Sequence, residues 1–244
     1  MKKSLHAFGM CHSMFCAIPS PYQGWDEEAR SRMLLFLPLV GLEIGLLWAG
    51  LGFGLGALNC PGAVTALILA VWPFLATGFL HLDGFMDVTD ATLSCRNPEK
   101  RRQILKDPHV GSFAVIGCVL VILGQYVLFQ AGEIRGWMLL FIPGVSRCCS
   151  ALAVTVLPAM ETSQYAGKKK NAAHVWILAF ELLTMLAGAW FLCGMEALAL
   201  AGLILGYLAS LFHGYRSLGG MNGDISGYAL TIGELCAGAV LAFM

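Results

Sequence analysis

Charge is what this sequence has least of. Of 244 residues only 12% are Asp, Glu, Lys or Arg, while 58% are apolar. Soluble domains carry about a quarter of their residues as charges, so a water-soluble globular chain is excluded. Basic stripes with interleaved aromatics are missing, and with them any sign of nucleic-acid binding. The nine cysteines include no CxxC pair. They read as small hydrophobes in a reducing compartment. No convincing internal repeat is present, which weighs against a transporter built from two related halves.

What the chain does have is a set of apolar runs that reach the roughly 20 residues needed to span a bilayer. The expected architecture is all-α: one polytopic, membrane-embedded domain over residues 1–244. Residues 1–32 form its N-terminal cytoplasmic or interfacial segment. Lys2 and Lys3 could open a signal peptide, but His6 and His12 interrupt the apolar stretch and no small-residue cleavage site follows, so residues 1–24 are expected to be retained. Residues 5–18 read as an interfacial or re-entrant helix ended by Pro19 and Pro21. Trp25 reads as an interface anchor and Asp26 as a helix cap.

Seven spans follow: Met33 to Phe53, Ala63 to Leu82, Gly111 to Phe129, Trp137 to Leu157, His174 to Cys193, Ala197 to Phe212 and Ile225 to Phe243. Asn97-Pro98-Glu99 reads as cap, first-turn proline and first-turn acid of a short loop helix. Gly52, Gly54 and Gly56 read as a close-packing helix face. Glu43 lies near the middle of the first span, where a carboxylate must be protonated, paired or facing a cavity. On alternate sides, Lys and Arg number four at the N-terminus, five in 91–110, three in 161–173 and one in 214–224, against Arg135 alone on the other side. By the positive-inside rule the N-terminus is cytoplasmic. Lys168 to Lys170 read most simply as part of that topological signal.

Two polar segments stand out. The first, TGFLHLDGFMDVTD (Thr77 to Asp90), closes an apolar run and carries Asp83, Asp87 and Asp90. On a helix, residues four and seven positions on lie about 40° and 20° from the first, so the carboxylates form one stripe. Like charges at that spacing repel, and a cation is expected there. All-oxygen ligands suit Mg²⁺, commonly held by one or two carboxylates with substrate phosphates. Gly84 allows close approach. His81 adjoins the stripe, either as an interfacial side chain or as a participant. Arg96, Arg101, Arg102 and Lys106 follow it directly, where phosphate would bind.

The second segment, LGGMNGDISGYALTIGE (Leu218 to Glu234), is on the same expected face. Gly219, Gly220 and Gly223 make a loop whose N–H groups could face an anion, and Asp224 is expected to cap the last helix. Glu234 lies about 15 Å along that helix and needs a partner. Arg147, midway along the fourth span, is the obvious cation, either as a structural ion pair or in binding. A carboxylate stripe, adjacent cations and an acidic Gly-rich loop at one face fit diphosphate chemistry. An aspartate not taken up by metal would accept a proton from an attacking hydroxyl.

These segments also carry a likeness. Phe36–Gly45 (FLPLVGLEIG), Thr77–Ala91, Leu105–Phe113 (LKDPHVGSF), Gly144–Leu152 (GVSRCCSAL) and Leu218–Gly227 with Glu234 resemble, in order, the cobalamin synthase family. Its members are adenosylcobinamide-GDP ribazoletransferases. The resemblance implies that α-ribazole, or its 5′-phosphate, attacks adenosylcobinamide-GDP at the cobinamide-side phosphorus. GMP leaves, in a Mg²⁺-dependent reaction at the bacterial cytoplasmic (inner) membrane. The lipid bilayer and these substrates are then the partners, with a homo-oligomer allowed for. The chain departs from the family pattern at Ala17 and at Pro108-His109-Val110, where arginines are usual, at Asn222, and at Glu43, where an apolar residue is common.

Rival readings are a CDP-alcohol phosphotransferase or prenyltransferase, whose paired aspartate motifs are lacking here. Ion transport through Glu43, Arg147, Glu181 and Glu234 is a third.

Overall fold

A computed structural model describes residues 2–20, 22, 24–132, 136–161, 163 and 171–244. Pro21, Arg135 and Lys168 to Lys170 lie outside the described residues, and so do the parts of the charge pattern they carry. Among the described residues the structure is helical, with no strand beyond one isolated bridge between Ala159 and Met221.

The chain opens with α1 (Lys2–Phe15), which stops just before Pro19. The one-turn α2 (Glu27–Arg30) is capped as expected, the Asp26 carboxylate accepting from the N–H groups of Glu28 and Ala29. A 3₁₀ turn over Met33–Phe36 leads into α3 (Leu37–Ala57). Then come α4 (Gly62–Ala76), α5 (Leu80–Leu93) and α6 (Pro98–Ile104). Asn97 caps α6 by accepting from Lys100 N–H, again as expected. The long helices α7 (Ser112–Ala131), α8 (Gly136–Val156), α9 (Ala172–Cys193), α10 (Leu198–Leu218) and α11 (Gly223–Ala242) complete the chain.

Five helical stretches are long and apolar enough to cross a membrane, or six if the bent pair α4–α5 counts as one span. The chain is therefore an all-α, multi-pass membrane protein, though these stretches do not reach the expected seven. The expected fifth and sixth spans fall within one 47-residue stretch, Ala172–Leu218. At about 1.5 Å per residue that stretch is far longer than a bilayer is thick, and it is interrupted at Gly194, where φ is +58°.

The second expected span is corrected in a way that matters. It does not run straight from Ala63 to Leu82. Helix α4 ends at Ala76, and α5 leaves it at 89°. The corner is built by Gly78 and Phe79, both left-handed, with φ of +57° and +64°. Gly78 adopts this freely, whereas an L-residue such as Phe79 does so at a cost of about 1–2 kcal/mol. The hydroxyl of Thr77 donates back to Pro73 O at 3.0 Å, and Phe79 N–H to Phe74 O at 2.8 Å, which closes the turn. The aspartates thus ride on a separate helix.

Helix α8 is central: it packs against α3, α9, α10 and α11. Against α3 the backbones meet at Gly41 and Gly45, whose missing Cβ atoms leave room for Pro143 O and Leu140 O. Of the three glycines expected to serve this purpose only Gly52 does, facing Leu139 of α8 and Leu69 of α4; Gly54 and Gly56 face open space. The indole N–H groups of Trp48 and Trp72 bond Leu69 O and Ile44 O, so α3 and α4 satisfy each other's polar atoms. Outward-facing Leu120, Leu123, Trp176, Phe180 and Phe191 are exposed, as lipid-facing side chains of a bilayer protein are.

Candidate active site

Helix α5 is amphipathic in the useful sense. Leu82, Phe85, Val88 and Thr89 are buried, while Asp83 is exposed and Asp87 and Asp90 are half-buried. The buried face packs on α7 and α11. At the α11 crossing, Gly84 meets the backbone of Asp224, and Gly227 meets that of His81. Two missing side chains thereby bring the two polar segments into contact. Asp87 consequently lies in the field of Asp83, Asp90 and Asp224, and Asp224 in that of Asp83. The carboxylate of Asp90 rests on Gly111, immediately before α7, where a Cβ would collide with both its oxygens. An acid at a helix N-terminus is favourably placed.

Asp224 is not the cap of α11, as expected from sequence. Asn222 is: it is extended at φ −144°, and its side chain accepts from Ile225 N–H at 2.9 Å. Asp224 sits in the first turn and accepts from Asn222 Nδ2 at 2.7 Å. Its carboxylate is therefore not consumed by capping.

Beside Asp224 lies a cleft of about 120 Å³, lined by Phe15, His81, Ser150, Gly223 and Ser226 among others. His81 is buried and stacks on Phe15, with ring centroids 6.2 Å apart and planes 13° from parallel. Its Nε2 has no partner among the described residues. The hydroxyls of Ser150 and Ser226 bond each other across α8 and α11. Sequence reading missed Phe15, Ser150 and Ser226. Hydroxyls inside otherwise apolar helices were the available signal for the two serines.

The basic residues divide. Arg102 bridges α6 to the glycine loop: Nη1 lies 3.3 Å from Leu218 O, and Nη2 lies 3.5 Å from Glu99 of its own helix. With Lys106, Gly219 and Glu161 it lines a second, open cavity of about 470 Å³. Arg96 is exposed after α5, and Arg101 is half-buried on α6. In the next loop Asp107 accepts from His109 N–H at 3.0 Å and from its ring at 2.7 Å, which holds the carboxyl below its usual range.

The glycine loop is less open than the sequence implied. Gly219 N–H donates to Tyr215 O and Met221 N–H to Pro158 O, while Gly220 packs on Met160. Those two N–H groups are spent on the fold.

Arg147 and Glu234 do pair, Nη1 to Oε1 at 2.8 Å, with Ser146 Oγ donating to the same oxygen at 2.7 Å. Arg147 is fully buried and Glu234 nearly so, so the pair staples α8 to α11 beneath the site. Glu43 is likewise partnered, its Oε1 standing 3.1 Å from His12 Nε2. Three of the four polar groups of the transport reading, Glu43, Arg147 and Glu234, are thus taken up in internal pairs.

All-carboxylate donors of this kind fit Mg²⁺. The aspartate oxygens do not form a closed three-ligand cage within 4.8 Å. This suits a cation completed by water and substrate phosphate rather than an all-protein site.

Residues 7–242 match the cobalamin-5-phosphate synthase family. The chain belongs to this family. Among its relatives is the adenosylcobinamide-GDP ribazoletransferase of Clostridium perfringens strain 13, 36% identical over 96% of each chain. Proteins of the same name from Clostridium botulinum strain Alaska E43 and Halalkalibacterium halodurans are 34% and 32% identical, over 96% of this chain and 96% and 94% of theirs. No solved structure matches the chain. For this family member, the aspartate helix and the Asp224 turn are the parts that the fold brings together.

Proposed function

We propose that this family member is an adenosylcobinamide-GDP ribazoletransferase that joins α-ribazole, or its 5′-phosphate, to adenosylcobinamide-GDP and releases GMP. The observation that carries this reading is the meeting of the aspartate helix, through Asp83 and Asp87, with Asp224 at the Gly84 crossing, next to a cleft whose His81 Nε2 has no partner among the described residues. A diphosphate with its cation is a ligand that such a carboxylate group can hold.

Asp83, Asp87 and Asp90 would hold Mg²⁺. Bound there, the ion would neutralise phosphoryl oxygens and the charge that develops on the leaving GMP. Asp224 accepts the proton of the attacking ribazole hydroxyl, since neither capping nor an ion pair consumes its carboxylate. The new P–O bond forms at the cobinamide-side phosphorus as the bond to GMP breaks, and the proton passes on to solvent. His81 Nε2 bonds substrate within the cleft, held in orientation by Phe15. Arg102 and Lys106 flank the glycine loop and attract the nucleotide phosphate, with Arg96 and Arg101 adding to the local positive field. The site is on the cytoplasmic face of the bacterial inner membrane, where a nucleotide-activated corrinoid is accessible.

The test uses detergent-purified full chain supplied with adenosylcobinamide-GDP, α-ribazole and Mg²⁺. GMP and corrinoid product are followed by chromatography, with Asp83→Asn and Asp87→Asn in parallel. With Mg²⁺ held near the native half-maximal concentration, product from the native chain and little from either variant is expected. Folded native protein that makes none would refute the reading.

A further inference from the structure

A second group of ligating side chains lies away from the aspartates, where α1 packs on α3. His12 is in the last turn of α1, and Cys16, just past its end, donates its N–H to His12 O at 2.9 Å; Glu43 comes from the second turn of α3. One ligand atom from each lies within 4.8 Å of the other two, a grouping found once among the described residues. His12 and Cys16 are each 7% exposed, and Glu43 is partly buried. His12 touches Glu43 through Nε2, and its Nδ1 has no partner among the described residues. A buried imidazole nitrogen left without a partner, beside a buried thiol and a partly buried carboxylate, is costly unless something further satisfies it.

We propose that His12, Cys16 and Glu43 bind one transition-metal cation of the Zn²⁺ kind, tying α1 to α3. The donor set is one nitrogen, one sulfur and one oxygen. Thiolate and imidazole select borderline and soft cations and are poor ligands for Mg²⁺, so this site and the aspartate site would take different ions. Zn²⁺ bonds of about 2.0–2.3 Å in a tetrahedron place ligand atoms about 3.5 Å apart. Closing the cluster onto a cation therefore needs a contraction of about 1 Å, within the reach of side-chain rotation. On binding, the Cys16 thiol gives its proton to solvent as the sulfur–metal bond forms, and a water completes the fourth position.

The site has a structural consequence. Cys16 directly follows Phe15, which lines the cleft and stacks on His81, and Ala17 N–H bonds Ala76 O at 2.8 Å beside the α4–α5 corner. A cation at Cys16 would fix the end of α1 against the cleft.

The experiment uses the full chain in detergent, stripped with chelator and titrated with Co²⁺ alone, then with Zn²⁺. We expect one equivalent of Co²⁺ to give a thiolate-to-metal charge-transfer band in the near ultraviolet, displaced by Zn²⁺ but not by Mg²⁺. His12→Ala, Cys16→Ser and Glu43→Gln should each weaken Zn²⁺ binding by at least about 10-fold to 100-fold, while Asp83→Asn leaves it unchanged. Absence of a thiolate band in the native chain overturns the proposal, and so does a band of full strength in Cys16→Ser. Should Cys16→Ser not fold, the native titration and Glu43→Gln still decide. No transferase activity is read, so failure here leaves the ribazoletransferase reading untouched.

Discussion

A Cβ built on Gly84 of α5 would lie 2.9 Å from the Asp224 Cα and 3.1 Å from its carbonyl oxygen on α11. Any side chain at Gly84 must therefore push the two helices apart and carry Asp224 away from the aspartate stripe. Misplacement by about 1 Å can cost about 100-fold in rate. Gly84→Val is expected to cut GMP release by about that factor while the helical circular-dichroism signal is kept. Unchanged turnover in a folded variant would remove this crossing from the mechanism.

Asn222 and Asp224 separate capping from chemistry. Asn222→Ala removes the α11 cap and should destabilise the protein by about 1 kcal/mol, read as a lowered denaturation midpoint in detergent. Asp224→Asn keeps the cap, so stability should hold while turnover falls by about 100-fold or more. The reverse pattern would return Asp224 to a purely structural role.

Asp87 lies among three other carboxylates. Neutralising it relieves repulsion yet removes a ligand for the cation. Asp87→Asn is expected to raise the Mg²⁺ concentration needed for half-maximal GMP release and to leave folding intact or slightly improved. A Mg²⁺ titration of both proteins distinguishes this from a general loss of activity, which would move the maximum and not the midpoint.

Arg147 and Glu234 should behave as a structural pair. Removing one partner of a buried ion pair costs about 3–5 kcal/mol because the other charge is stranded, whereas replacing both can be nearly neutral. Arg147→Met is thus expected to be much less stable than Arg147→Met with Glu234→Gln. Additive losses in a double-mutant cycle would contradict the 2.8 Å contact.

Much of this was legible in the chain. Low charge and long apolar runs dictated helices in a membrane, because backbone N–H and C=O groups in lipid must be satisfied within the structure. The spacing of Asp83, Asp87 and Asp90 dictated one stripe, because helical periodicity is local. The Asp26 and Asn97 caps followed from short-range hydrogen bonding for the same reason.

Other features depended on contacts between residues distant in sequence. The 89° corner after α4 has Phe79 left-handed, a conformation that local preference disfavours, and Ala17, far earlier in the chain, donates its N–H to Ala76 O beside it. The assignment of the α11 cap to Asn222 turned on the backbone path after the Ala159–Met221 bridge. The pairing of His12 with Glu43, and the close fit of Gly84 on Asp224, came from helices far apart in the chain. The sequence by itself determined which residues are polar and which face of each helix they share. Only tertiary structure decided which faces meet, since side-chain spacing within a helix is fixed by its geometry but its partners are chosen by packing.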